Sequence, residues 1–152
     1  MVKELEGGSE ADVEKRKDEL RQAVKSVIPC DVTKKEMIPD EHKGPYDVVF
    51  SSLVLAAACR TVEDCNATVA RIVQNYVKPG GRIVIHYTIM EKPSSLDEQC
   101  FYKVGEERFF ALALNEGIVR TALESAGCCD IITRMIDKKT TGIPDGATCP
   151  SF

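Results

Sequence analysis

Apolar and polar positions alternate along this chain in two periods, and the switches between them mark the elements. From Ser9 to Ser26, Val13, Leu20, Ala23, Val24 and then Val27 line one face of a helix while Lys, Arg and Glu take the other. The run "SVIPCDVT" follows and reads as a short strand near a sheet edge, because Pro29 cannot donate a ladder hydrogen bond. After the polar linker "KKEMIPDEHKGP" comes "YDVVFSSLVLAAAC", a β-branched and aromatic run with little alternation. That pattern predicts a central parallel strand covered on both faces.

Thr61 with Asp64 three residues later has the form of a capping box, and Val62, Cys65, Val69, Ile72, Val73 and Tyr76 recur at helical spacing behind it. That helix is expected to end at "KPGG", where proline cannot continue it and the glycines accept a turn. "RIVIHYTI" then predicts a second buried strand, giving a strand, helix, strand crossover. The loop "MEKPSSLDEQ" leads to "CFYKVGEERFFALAL", which the pattern leaves unassigned. Asn115 caps a last helix whose Ile118, Val119, Ala122, Leu123 and Ala126 face a core, and Gly127 ends it. "CDIITRMID" predicts the last strand, and the turn-rich tail "KKTTGIPDGATCPSF" predicts irregular chain.

Alternating strands and helices place the chain in the α/β class, whose ligands bind at the carboxyl ends of parallel strands. Those ends are Asp31 to Thr33, Ser52 to Ala57 and His86 to Met90. A nucleotide-binding sheet usually carries a glycine-rich loop after its first strand, and none precedes these segments. That absence also argues against a dinucleotide-dependent reductase.

Composition narrows the chemistry further. With 152 residues and 43% hydrophobic content, the chain is about one domain with a sizeable core. A formal charge of -4 gives no electrostatic reason to expect nucleic acid. No apolar run approaches the ~20 residues needed to span a bilayer, and "MVKELEGGSE" lacks the form of a signal peptide, so a soluble cytosolic, cytoplasmic protein with no membrane partner is expected. Seven irregularly spaced cysteines fit reduced thiols, several of them in the core. No Cys-x-x-Cys occurs, His42 and His86 are far apart and Cys128 adjoins Cys129, spacing that argues against a zinc site. The apolar surroundings of Cys59 favour an inert, buried thiol over a nucleophile.

Several strings are narrower than the fold pattern. "KDELRQAVKSVIPCDVT", "DVVFSSLVLAAAC", "VKPGGRIVIHY", "YKVGEERFFAL" and "IVRTALESAGC" occur in the order found in one family, which the chain resembles from about Val2 to Asp137. This is the family of small-molecule N-methyltransferases that includes the nicotinamide, indolethylamine and phenylethanolamine enzymes, and the resemblance leans to the nicotinamide type. It implies a partial class I, Rossmann-like, S-adenosylmethionine-dependent methyltransferase fold. One partial domain would occupy residues 1–152, with 1–8 and 138–152 irregular, and would lack the glycine-loop strand and the second strand.

The same resemblance implies roles for individual residues. Asp31 would accept from the adenine amino group of S-adenosyl-L-methionine, with Cys30 and Val32 beside the ring; read on its own, Asp31 caps a loop. Ser52 would approach the cofactor, and Leu53, Ala56, Ala57, Tyr87, Tyr102 and Ala111 would line the acceptor site, with strand packing as the plain alternative. Ala56 and Tyr87 stand where nicotinamide-type members carry acids, which counts against nicotinamide as the acceptor, and His86 and Tyr87 fall where substrate chemistry is decided. Phe109 is expected to be packing. The implied reaction is in-line methyl transfer to a small amine or N-heterocycle, needing alignment more than acid-base groups and no metal. Without the first two strands, "DVVFSSL" would be an unpaired apolar edge. The isolated chain is therefore expected to bind cofactor weakly or not at all, and the alternative is a non-catalytic module pairing that edge with a partner chain.

Overall fold

The computed structural model describes residues 9–89 and 99–135. They fall into two compact units, one holding residues 9–29 and 134–135 and the other 30–89 and 99–133. The expectations for 1–8 and for the tail from 138 onward lie outside the described residues.

In the first unit, helix α1 spans Glu10–Ala23. Its start follows from local chemistry: the Asp12 N–H donates to Ser9 Oγ, and the Asp12 carboxylate accepts from the Ser9 N–H at 2.7 Å. Ion pairs such as Arg21–Asp18 at 2.8 Å run along its exposed surface, and none of its residues is buried. The helix stops at Ala23 rather than Ser26, because Val24 is already extended.

The expected strand at "SVIPCDVT" does not form. No ladder partner meets it among the described residues, and from Asp31 the chain folds on itself, the Asp31 N–H donating to Met37 O at 2.8 Å. Met37 is 4% exposed, and its N–H donates to the Tyr76 hydroxyl at 3.3 Å, which pins this loop to the core.

In this second unit strand β1 (Tyr46–Ser52) leads into a short helix α2 (Val54–Ala58), helix α3 (Val62–Tyr76) and strand β2 (Val77–His86). "YDVVFSSLVLAAAC" is thus half strand and half helix, the break falling at Leu53 with φ 59°. The α3 capping box is present as its sequence predicts, Thr61 Oγ1 accepting from the Asp64 N–H at 3.1 Å. The β1 and β2 strands pair in parallel, and the register jumps from Tyr46↔Val77 to Val48↔Arg82, so "KPGG" lies in a bulge inside β2 and not before it. Gly81 is required there: a Cβ would meet the carbonyl oxygens of Lys78, Asp47 and Tyr46 at 2.9, 3.0 and 3.1 Å.

Among the described residues this sheet has two strands. One face, with Val49, Ile83 and Ile85, packs toward the core. The opposite face exposes Val48, Phe50 and Val84, so neither strand is buried on both sides as their apolar runs predict. A continuous apolar run reports what a strand can bury, and nothing among the described residues covers this face.

Strands β3 (Gln99–Val104) and β4 (Glu107–Leu112) form an antiparallel hairpin that the apolar pattern left unassigned. Gly105, at φ 64°, opens its two-residue turn. Across it Tyr102 stacks on Phe109 at 5.4 Å and Phe101 meets Phe110 edge-on at 6.1 Å. Helix α4 (Glu116–Ser125) starts at Asn115, whose Oδ1 accepts from the Ile118 N–H at 2.9 Å. It ends in a Schellman motif, the Cys128 N–H donating to Leu123 O at 3.0 Å around Gly127 with φ 90°. The strand expected at "CDIITRMID" is absent through residue 135: no neighbour pairs with it, and Ile132 is 80% exposed.

The core joins Leu55, Cys65, Val69, Ile72 and Tyr76 to Leu112, Leu114, Val119 and Ala122. Each fully buried leucine there stabilises the fold by about 1.5–3 kcal/mol before entropy is counted. Among the described residues no helix is long and apolar enough to cross a membrane.

Candidate functional site

The β1 and β2 strands end side by side, with Ser52 opposite His86. Their side chains meet, Ser52 Oγ to His86 Nδ1 at 2.9 Å, and both residues are exposed. The backbone beneath them is fixed by the Leu53 N–H donating to His86 O at 2.8 Å. Leu53 therefore turns sharply into α2 in a left-handed conformation that costs a non-glycine residue about 1–2 kcal/mol. Such local strain is found most often where a chain must place a group for function.

Around this point the structure assembles part of the predicted set. Ala56 packs against the core, Ala57 is exposed, and their helix contacts both β1 and β4, the strand that carries the buried Ala111. Tyr87 follows His86 and is partly buried against the core. Burial, and behind it the Glu116 carboxylate, push its phenol above the ordinary range, with Arg120 opposing. Tyr102 lies on the hairpin, stacked on Phe109 and 37% exposed, so Phe109 is a partner in that exposed stack more than a core residue.

The Cys30 to Thr33 segment has its own order. Asp31 Oδ1 accepts from the Thr33 hydroxyl at 2.6 Å and the Thr33 N–H at 3.1 Å, and Lys34 lies 3.4 Å from Oδ2. These bonds, the Thr33 hydroxyl first, hold the Asp31 carboxyl below the usual range. Asp31 thus caps its loop, yet a carboxylate offers about four lone-pair sites, so it retains acceptor capacity for one exocyclic amine. Cys30 is exposed, and the Val32 carbonyl accepts from Arg71 Nη2 at 3.0 Å.

A cleft of about 370 Å³ lies beside this loop, between Val32, Thr33, Cys59, Arg60, Thr68 and Arg71. Of the predicted residues only Val32 lines it. Arg60 lies over the Phe110 ring at 4.8 Å and ties its wall to β4. Cys59 and Cys65 are 2% and 0% exposed, and a shared hydrogen bond with burial pushes the Cys65 thiol far above its ordinary range. No cluster of three or more metal-ligating side chains occurs among the described residues.

Sequence reasoning placed Ser52 and His86 near the site but not against each other, since their contact depends on the strand register. The left-handed Leu53 carries no glycine or asparagine signal and was not foreseeable from residue type.

Comparison with known proteins defines the class. The model of the NNMT/PNMT/TEMT family matches residues 1–143, and the chain belongs to that family. It is 35% identical over 127 residues to nicotinamide N-methyltransferase of Homo sapiens and 32% identical over 126 residues to that of Sus scrofa. It is 30% identical over 125 residues to indolethylamine N-methyltransferase of Mus musculus. These matches cover 82–83% of this chain but 44% of each relative, so the chain spans less than half their length.

Proposed function

We propose that this chain contributes the later part of the cofactor and acceptor site of an S-adenosylmethionine-dependent N-methyltransferase acting on a small amine or N-heterocycle. The observation that carries the reading is the convergence, in a chain of this family, of Ser52, the left-handed Leu53, His86 and Tyr87 at the carboxyl end of a parallel strand pair. When bound, S-adenosylmethionine supplies a methyl group on a sulfonium, open to in-line attack by a nitrogen lone pair.

The chain's own residues would hold and orient. Asp31 accepts from the adenine amino group through its remaining lone pairs, and Cys30 and Val32 border the ring. Ser52 offers a hydroxyl at the strand end, and Leu53, Ala56, Ala57, Tyr87, Tyr102 and Ala111 form the acceptor side. Alignment is the main contribution asked of them. Calorimetric titration of the full chain with S-adenosylmethionine tests this reading. Weak binding is expected, reduced a further several-fold by Asp31→Ala; binding that ignores Asp31→Ala would overturn the adenine assignment.

The uncovered face of the sheet and the outer edge of β1, unpaired among the described residues, favour a second reading. In it the chain is a non-catalytic module to which a partner chain adds a strand. Sedimentation of the chain alone and with candidate partners separates the two, since the module reading requires a defined complex.

A further inference from the structure

The exposed apolar face of the sheet, Val48 and Phe50 on β1 and Val84 on β2, ends in the Ser52–His86 pair. Among the described residues at this end, 51–58 and 86–89, two side chains carry ionisable groups, His86 and Tyr87. Tyr87 is partly buried and keeps its proton more tightly than an ordinary phenol. An imidazole has two ring nitrogens, and the partner of one decides what the other can do. With Nδ1 against Ser52, Nε2 lies on the far side of the ring, away from Ser52.

We propose that His86 is a proton acceptor for an alkylammonium ligand at the end of this sheet, with Ser52 as its positioning residue. The His86 Nδ1–H donates to Ser52 Oγ, and the Nε2 lone pair faces the ligand. In the transfer an N–H bond of the ammonium breaks, its electron pair stays on the amine nitrogen, and an Nε2–H bond forms, moving one positive charge to the imidazole. The ammonium holds its proton more tightly than imidazole does. The pair therefore rests as ammonium against neutral imidazole, and free amine is drawn off only as it reacts.

The proton exchange itself needs no cofactor; the use of the freed lone pair rests on the methyltransferase reading. It also selects a class of acceptor. An alkylamine must lose a proton before it can attack, whereas a heteroaromatic nitrogen has its lone pair free, so His86 fits the former. The other groups bearing on this end are Ser52 of β1, Tyr87, and Glu116 and Arg120 of α4, which are paired at 3.1 Å and act on Tyr87.

The chain has two histidines, so His42 serves as an internal control. Long-range proton–nitrogen spectra of the full chain are recorded across pH, alone, with 2-phenylethylamine and with pyridine. The Nδ1–H tautomer is expected at His86, and 2-phenylethylamine should move its titration to lower pH by about one unit, as a neighbouring cation does, with His42 unmoved and pyridine without effect. Ser52→Ala should shift His86 toward the Nε2–H tautomer and weaken that response, with an unchanged His42 signal reporting an intact fold. A His86 found as the Nε2–H tautomer in the unaltered chain, or one indifferent to the amine, overturns the proposal. Cofactor binding without a His86 response overturns this inference alone; a His86 response without cofactor binding supports it and removes only the claim that this chain holds the cofactor by itself.

Discussion

Leu53 takes φ 59° because the chain must leave β1 at Ser52 and enter α2 within one residue, while its N–H is held by the His86 carbonyl. Its side chain is 50% exposed, so little packing offsets the backbone cost. Leu53→Gly should therefore raise stability by about 0.5–1 kcal/mol, read as a higher urea midpoint at unchanged slope. Tyr87 gives a second test at this scale. Its folded pKa is raised by burial, so its contribution to stability is fully present below the unfolded value near 10 and is lost as pH rises through the folded value. Alkaline unfolding of Tyr87→Phe should show a weaker loss of stability above that pH than the unaltered chain. Asp31 shows the limit of reading one residue: its type suited both a loop cap and an adenine acceptor, and the bonds to Thr33 fix the first role while leaving lone pairs for the second.

At the scale of elements, α1, α3 and α4 follow from residues three apart: Ser9 with Asp12, Thr61 with Asp64, and Asn115 with the Ile118 N–H. Such contacts are local and legible in the chain. Strands require a partner, and "SVIPCDVT" and "CDIITRMID" have strand-like residues with no neighbour among those described. The β3–β4 hairpin carried the opposite signal, a glycine between two apolar runs, hidden by the charged "GEER" at its tip. The β2 bulge is specified more tightly than "KPGG" suggests. Gly81→Ala forces a Cβ against three carbonyl oxygens and should cost roughly 1–3 kcal/mol. Gly80→Ala meets no atom within 4 Å and should cost about 1–2 kcal/mol through its φ of 76° alone. Thermal denaturation of the two variants should show Gly81→Ala melting no higher than Gly80→Ala.

For the whole molecule, family membership was legible because its strings lie in segments that keep their order, while the site was legible only in part. Residue identity located Ser52, His86 and Tyr87 at the end of the sheet; the register that joins Ser52 to His86 and the turn at Leu53 are tertiary facts. The chain spans 44% of the relatives it matches, and its two-stranded sheet leaves one apolar face uncovered among the described residues. Both observations lead to the expectation of a cofactor site that is weak but correctly placed. A residue-resolved NMR titration of the full chain with S-adenosylmethionine tests that claim most directly. Fast-exchange shifts confined to Cys30–Val32, Ser52–Leu53 and His86–Tyr87 are predicted, whereas shifts centred elsewhere, or none at millimolar cofactor, would contradict it.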